Sequence, residues 1–401
     1  MTVCVILAAG EGKRMRPLTG SRPKVMLPIA GRPMLEHLLC AARDAGIKEF
    51  IIVVGYGEAS VRNHFSDGGP FGVSIRYITQ KRQRGTGDAV LTVSDLIQTR
   101  FLLLNGDMIL TKTDISKMLA SPAPSMGVFS SSHPEDYGVV TVSGDRINGL
   151  EEKSIKPKSD QINAGIYLFD PEIFSRLQTI KPSPRGELEL TDALIPYISD
   201  RTLRGVILEN WADMGSPWDL LGVHEEMMKE INSSSEGTIE EGVILKGAVR
   251  IGKGTVIKSG SYIEGPCIIG DGCRIGPHAY LRSGTSIGDN CHIGHSSEIK
   301  NSIIMDNTNV PHFSYIGDSI IGSGCNFGAG TKIANLRHDK GMIKIRGNDT
   351  RRHKFGAVIG DDVLIGINCS VNVGTIIGNH CRIGPHILVE GIIEDSTVMR
   401  R

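Results

Sequence analysis

The sequence predicts an α/β domain followed by an all-β repeat array, and three observations predict it. The first 215 or so residues alternate buried-strand and amphipathic-helix patterns. From Ile239 onward an aliphatic residue returns at every sixth position. The chain's 49 glycines are concentrated in the second half while aromatic residues make up only 5%, which suits many tight turns and small packed side chains.

In chain order, Val3 to Leu7 reads as a buried strand, Met34 to Ala45 as an amphipathic helix closed by Gly46, and Phe50 to Val54 as a second strand. A strand near Val73 to Thr79, helical spacing over Asp88 to Ile97 and the apolar strand Phe101 to Leu104 continue the order. This is a doubly wound, Rossmann-like α/β pattern with a mostly parallel sheet over residues 1–215. Ser216-Pro217 then supplies an N-cap and a first-turn proline for a helix through Trp218 to Ile231. With Asn232 to Ser235 that helix forms a linker over 216–238.

The aliphatic series runs Ile239, Leu245, Ile251, Ile257 and on to Ile299, with a small residue two positions before each next member, as at Thr255, Ser261, Cys267, Cys273 and Ala279. It fails after Ile299, resumes at Ile321, Phe327 and Ile333, fails again, and returns from Ile359 to Val389. This spacing resembles the hexapeptide repeat, and the resemblance implies a left-handed parallel β-helix over 239–401, with three hexapeptides per triangular coil. Each aliphatic residue would then point to the prism axis, with the small residue at the corner.

Composition narrows the functional classes. At 401 residues there is room for two or three domains. Lys plus Arg equals Asp plus Glu at 44 each, so the balance points to neither a nucleic-acid nor a membrane partner. Met1 to Ala9 lacks the basic and cleavage regions of a leader, and no apolar stretch approaches the ~20 residues of a membrane span. A soluble, cytoplasmic protein is the expectation. The eight cysteines form no CxxC pair, and six of them occupy the small-residue slot of the repeat, so they read as core residues.

Leu7-Ala8-Ala9-Gly10-Glu11-Gly12-Lys13-Arg14, followed by Pro23-Lys24, sets a glycine loop at the carboxyl end of the first strand, where open α/β sheets bind ligands. Small residues let the backbone approach a nucleotide, and Arg14 and Lys24 can offset charge on a transferring phosphoryl group. The stretch resembles the signature of sugar-1-phosphate nucleotidylyltransferases. The resemblance implies that Gln80, Gly85 and Thr86 read the base, that Asp107 and Asp213 hold Mg²⁺, and that Gly138, Glu152, Lys153 and Asn163 meet the sugar phosphate. Glu151 stands beside Glu152, and the sequence leaves open which of them faces the sugar.

The second set of chemical residues falls where the repeat fails: Pro311-His312-Phe313-Ser314-Tyr315, then Asn326-Phe327-Gly328-Ala329, then Asn335. A histidine can accept the proton that an amine loses on attacking a thioester at neutral pH. The pattern resembles the acetyltransferase half of bifunctional glucosamine-1-phosphate acetyltransferase/N-acetylglucosamine-1-phosphate uridylyltransferases. That resemblance implies a catalytic His312, a sugar phosphate held by Arg282 and Lys300, sugar and acetyl contacts from Tyr315, Asn326 and Ala329, and Asn335 orienting the amine or His312. The family pattern is not matched at Leu336 or Ile367, and residues 339–354 form a basic insertion, either a solvated loop or a contact for the phosphates of CoA.

The resemblance therefore implies UTP or dTTP, an amino-sugar 1-phosphate and acetyl-CoA as substrates, and a homotrimer. The alternative is a UDP- or dTDP-glucose pyrophosphorylase whose β-helix only trimerises or regulates.

Overall fold

The computed structural model describes residues 2–184 and 186–400; Met1, which begins the N-terminal apolar run, and Arg185 and Arg401 lie outside the described residues. Runs of Val, Ile, Leu and Phe suit strands covered on both faces, and Val3–Ala8, Glu49–Val54 and Phe101–Asn105 are such strands, whereas Ser74–Thr79 keeps Ser74, Arg76 and Thr79 exposed. Val3–Ala8 pairs in parallel with Glu49–Val54 on one side and Phe101–Asn105 on the other, and Ser74–Thr79 forms the parallel edge.

The rest of this nine-stranded sheet is largely antiparallel. Gln161–Phe169 runs against both Phe101–Asn105 and Ser125–Ser130, and Gly138–Ser143 turns directly into Arg146–Glu152. The parallel order expected from the sequence thus holds for Val3–Ala8, Glu49–Val54, Ser74–Thr79 and Phe101–Asn105. A two-residue turn at Gly144 and Asp145, not a crossover helix, joins the last hairpin.

Met34–Asp44 is the expected helix, burying Met34, Leu35, Leu38, Leu39 and Ala42, with Gly46 in the left-handed region at φ +101°. The helical spacing of Asp88 to Ile97 resolves into two pieces, an α-helix over Thr86–Leu91 and a 3₁₀ turn over Ser94–Leu96. These elements form one compact unit, made of the chain up to Glu11 with Arg22–Met26 and Met34–Asp213.

The second unit comprises Gly12–Ser21, Leu27–Pro33 and everything from Met214 onward. Most of it is a three-sided prism of short parallel strands in three sheets of nine, nine and eight, the left-handed β-helix that the repeat implied. Its axis is the aliphatic series, with Ile263, Ile275, Ile293 and Ile333 fully buried and Cys273, Cys325 and Cys369 at the corners. Ser234–Ser235, expected in the linker, already pairs with Val249–Ile251 as the first strand of one sheet.

The register explains both failures of the rhythm. Partners in the early coils are 18 residues apart, as in Ile257 with Ile275 and Leu281 with Ile299. The next coils are one residue shorter, pairing Ile287 with Ile304, Ile299 with Ile316 and Ile304 with Ile321. Ile304, Val310 and Ile316 therefore continue the buried axis through what looks in the sequence like a gap. The second failure is a true insertion, since Ile333 pairs with Val371 while residues 334–356 leave the prism.

The insertion is anchored, not trailing. Ile343, Ile345 and Phe355 are buried, Lys344–Ile345 pairs with Asn348–Asp349, and Arg352 meets Glu225 of the helix Pro217–Met228. No helix among the described residues is long and apolar enough to cross a membrane.

Candidate active sites

In the first unit the sheet brings three charged side chains together. Gly106 bonds through its N–H to the Leu7 carbonyl at 2.9 Å, and a Cβ there would stand 2.6 Å from that oxygen, so only glycine lets the chain turn so close to the first strand. Asp107 follows directly. Trp211–Asp213 pairs antiparallel with Met108–Leu110, which sets Asp213 opposite Met108 and so beside Asp107. Lys24, only 6% exposed, reaches both carboxylates, Asp107 Oδ2 at 2.7 Å and Asp213 Oδ1 at 3.3 Å. Three residues separated by up to 189 positions thus converge.

The loop that begins at Ala8 stays open to ligand. A Cβ on Gly10 would meet nothing within 4 Å. Ala9 is held through its carbonyl, which accepts from Gln83 Nε2 at 2.6 Å and from the Tyr56 N–H at 3.1 Å. Gln83 was not singled out from sequence; it lies within the Gln80 to Thr86 segment, and only its reach back to the loop marks it.

Gln80 itself is buried, and its amide nitrogen is already used on the Gly85 carbonyl at 3.2 Å and Asp88 Oδ2 at 2.8 Å. The donor and acceptor pair expected for base recognition is therefore reduced, in this state, to the acceptor Oε1. Gly85, at φ +106°, would place a Cβ 2.5 Å from the Leu188 carbonyl, and Thr86 Oγ1 accepts from the Leu190 N–H at 3.0 Å. This segment is fixed by the chain around 188–190.

Strand alternation separates the two glutamates. Glu152 pairs with Gly138, whose Cβ position lies 3.0 Å from Glu152 Oε1, while Glu151 Oε1 accepts from Ser154 Oγ at 2.9 Å. Glu152 is therefore the one grouped with Gly138. Lys153 has a left-handed backbone at φ +48° and donates its N–H to the Tyr137 carbonyl at 3.0 Å. Asn163 stands where the register between Gln161–Phe169 and Ser125–Ser130 shifts, its Oδ1 accepting from the Gly165 N–H at 3.0 Å and the Tyr167 hydroxyl at 2.9 Å.

Gly12 and Arg14 belong to the second unit. Gly12 is left-handed at φ +68°, and its carbonyl accepts from Thr19 Oγ1 at 3.1 Å. Arg14 lies against Gly215, whose Cβ position is 3.4 Å from the guanidinium. The same unit holds Ala30 through His224, whose Nδ1 accepts from the Ala30 N–H at 3.0 Å while Nε2 lies 3.1 Å from the Gly284 carbonyl. Burial pushes the imidazole down from its ordinary 6.5 to about 4, the Gly284 carbonyl opposing only in part.

The second set of residues falls on two corners of the prism. At one, Arg282 and Lys300 stand on successive turns and Asn335 two turns further on, Arg282 bonded to Glu298 at 3.0 Å and Asn335 Nδ2 to the Tyr315 hydroxyl at 3.1 Å. Burial raises the Tyr315 phenol above its usual range, and Asp318 adds to the effect. At the other corner His312 ends the strand Asn309–His312, and the Gly330 N–H, one residue past Ala329, donates to its carbonyl at 3.1 Å. Asn326 lies on the same face as that strand, paired with Asn309. His312 and Asn326 are exposed. The structure thus divides the six acetyltransfer candidates and His312 into Arg282, Lys300, Tyr315 and Asn335 on one side and His312, Asn326 and Ala329 on the other.

Sequence reasoning missed one member of the first group. Asp318, 3% exposed, lies one coil beyond Lys300 and accepts from its ammonium at 2.9 Å and from Asn335 Nδ2. Its signal is position: Gly317 is the register partner of Lys300 in the shortened coil, and Asp318 follows it at the corner where Arg282 and Lys300 stand.

The nucleotidyl transferase family model matches residues 3–230 and the model of the GMPPB C-terminal domain matches residues 263–372. A bifunctional protein GlmU from Methanococcus maripaludis is 47% identical over 98% of this chain and 96% of its own. A bifunctional sugar-1-phosphate nucleotidylyltransferase/acetyltransferase from Sulfurisphaera tokodaii is 37% identical over 96% of each. A crystal structure from Bacillus anthracis, described as a provisional glucose-1-phosphate thymidylyltransferase, covers 58% of this chain and 98% of its own with a TM-score of 0.54 and 29% identity.

Proposed function

Since the chain belongs to the nucleotidyl transferase family and, over nearly its whole length, to the bifunctional GlmU proteins, we propose that it makes UDP-N-acetylglucosamine in two steps. It N-acetylates glucosamine 1-phosphate with acetyl-CoA, then transfers UMP from UTP to the product and releases pyrophosphate. The observation that favours this over a pyrophosphorylase with a purely structural β-helix is the convergence of Lys300, Tyr315 and Asn335 at one corner of the prism. A scaffold has no use for it.

In the uridylyl step a phosphate oxygen of the sugar 1-phosphate bonds to the α-phosphorus as the bond to the β-phosphate oxygen breaks. Lys24 and Arg14 offset the charge that builds there, and the open backbone at Gly10 lets the triphosphate approach. Leu7, Ala8, Ala9 and Gly12 line the nucleotide, Gln80, Gly85 and Thr86 its base, and Gly138, Glu152, Lys153 and Asn163 the sugar phosphate. Mg²⁺ fits Asp107 and Asp213, because both already converge on one cationic group and two carboxylates with phosphate oxygens and water are a usual Mg²⁺ set. When bound it neutralises phosphate charge.

In the acetyl step the neutral amine bonds to the thioester carbonyl and the CoA thiolate leaves, with His312 taking the amine proton and returning it to the sulfur. Arg282 and Lys300 hold the sugar phosphate. The two corners that carry the candidate residues meet in one site if a second copy supplies one of them, which supports a homotrimer. The exposed Phe313, Leu364, Ile367 and Leu388 on the prism offer apolar surface for that contact. The three substrates, a nucleoside triphosphate, an amino-sugar 1-phosphate and acetyl-CoA, suit a cytoplasmic enzyme.

Removing the metal separates the steps. With EDTA, pyrophosphate release from UTP and N-acetylglucosamine 1-phosphate should stop while CoA release from acetyl-CoA and glucosamine 1-phosphate continues; loss of both, or of neither, contradicts the assignment of Mg²⁺ to Asp107 and Asp213.

A further inference from the structure

We propose that Asp318 is a positioning residue for acetyl transfer, locking the Asn335 amide so that its carbonyl oxygen faces the acceptor amine while holding the Lys300 ammonium at the sugar phosphate. This rests on the acetyltransferase reading above.

Asp318 Oδ2 accepts from Lys300 Nζ at 2.9 Å and from Asn335 Nδ2, and Oδ1 accepts from Asn301 Nδ2 at 2.8 Å. A carboxylate with three N–H donors around it has only acceptor capacity to offer, so the nitrogen of Asn335, not its oxygen, must face it. The second hydrogen of that nitrogen goes to the Tyr315 hydroxyl at 3.1 Å. With both donors committed, Asn335 Oδ1 points away, and it carries no bond within the chain among the described residues. Asn335 is half-buried, and an amide oxygen without a bond there can accept one from a ligand. The Tyr315 hydroxyl, having accepted from Asn335, keeps its own hydrogen to donate.

An acceptor at that point suits a neutral amine. The amine donates one N–H to Asn335 Oδ1, which fixes its rotation and leaves the lone pair for the thioester. An Asn335 amide free to flip would present a donor instead and compete for that same lone pair.

The setting of Asp318 is built, not incidental. It sits at a shortened turn, left-handed at φ +49°, with its N–H on the Lys300 carbonyl at 2.9 Å and its carbonyl accepting from Gly356 at the end of the insertion at 2.8 Å. Asn301, which braces Oδ1, also donates to Glu225 Oε1 at 2.5 Å, and Arg352 pairs with the same glutamate. A Cβ on Gly317 would lie 2.5 Å from the Tyr315 hydroxyl and 2.7 Å from Asn335 Nδ2, so the preceding residue must be glycine for the pair to meet.

Asp318→Asn tests this with little change in volume. Its NH₂ must face either Lys300 and Asn335 or Asn301, all of them donors. The expected result is a fall in acetyl-transfer kcat of roughly tenfold or more, with a raised KM for glucosamine 1-phosphate, an acetyl-CoA KM within about twofold, and unchanged uridylyl transfer. Acetyl-transfer constants within twofold of the parent overturn the proposal. A parallel fall of both activities and of Tm also overturns it, since Asp318 is then structural. If the parent itself releases no CoA, it is the acetyltransferase reading that fails. Should the variant not fold, the parent bound to glucosamine 1-phosphate decides: the amine nitrogen within about 3.2 Å of Asn335 Oδ1 supports the proposal, and an amine beyond that reach overturns it.

Discussion

Asp107 and Asp213 share one ammonium, Lys24 Nζ, at 2.7 and 3.3 Å, and this small cluster is where the nucleotidyl chemistry is most exposed to single substitutions. Asp107→Ala should lower pyrophosphate release about 10²- to 10³-fold and leave CoA release unchanged, as read by the two product assays on one preparation. His224 tests the energetics instead. Its neutral ring accepts from Ala30 and donates to Gly284, and a proton on Nδ1 would set two donors face to face. The unfolded chain takes up this proton near pH 6.5 and the folded chain only near 4. Stability from this group is therefore complete above pH 6.5, is lost as the pH falls through that window, and levels off below 4, a loss of about 3 kcal/mol. Urea midpoints at pH 7.5 and 4.5 should show it, and His224→Gln should flatten the difference; an equally steep variant would place the titration elsewhere.

Among the elements, those with a continuous physical signal were legible and those set by distant partners were not. Val3–Ala8, Met34–Asp44 and Glu49–Val54 follow from apolar runs and helical spacing to within two residues. The antiparallel hairpin of Gly138–Ser143 and Arg146–Glu152 carried no comparable signal, because its strands alternate weakly and end in a short turn. In the prism, the apparent gap after Ile299 hid Ile304, Val310 and Ile316, since shortening a coil by one residue shifts the phase without leaving the axis. The site shows the same division. Lys24, Asp107 and Asp213 were visible as motif residues, whereas the tied nitrogen of Gln80 and the anchoring role of Gln83 depend on contacts that no local pattern encodes. The turn at Gly106 is the element-scale counterpart of Asp107. Gly106→Ala forces a Cβ against the Leu7 carbonyl, so uridylyl kcat should fall tenfold or more with acetyl transfer intact; an unaffected kcat would mean that the turn tolerates displacement of Asp107.

For the whole molecule, the regular coils of the β-helix supply a scaffold and the irregular ones carry the second chemistry. Lys300 and Asn301 stand at one shortened turn, Asp318 at the next, and Asn335 opens the insertion, all at one corner and held by Glu225 and Arg352. His312 and Ala329 occupy another corner of the same prism. That arrangement is what a bifunctional chain requires and a trimerisation module does not, so the central claim stands on the second activity. Its most direct test is CoA release from acetyl-CoA with glucosamine 1-phosphate, by the intact protein and by His312→Ala. Release by the parent and a loss of about 10²- to 10⁴-fold in the variant are expected, with uridylyl transfer preserved. No release by the folded parent, or undiminished release by His312→Ala, would contradict that claim.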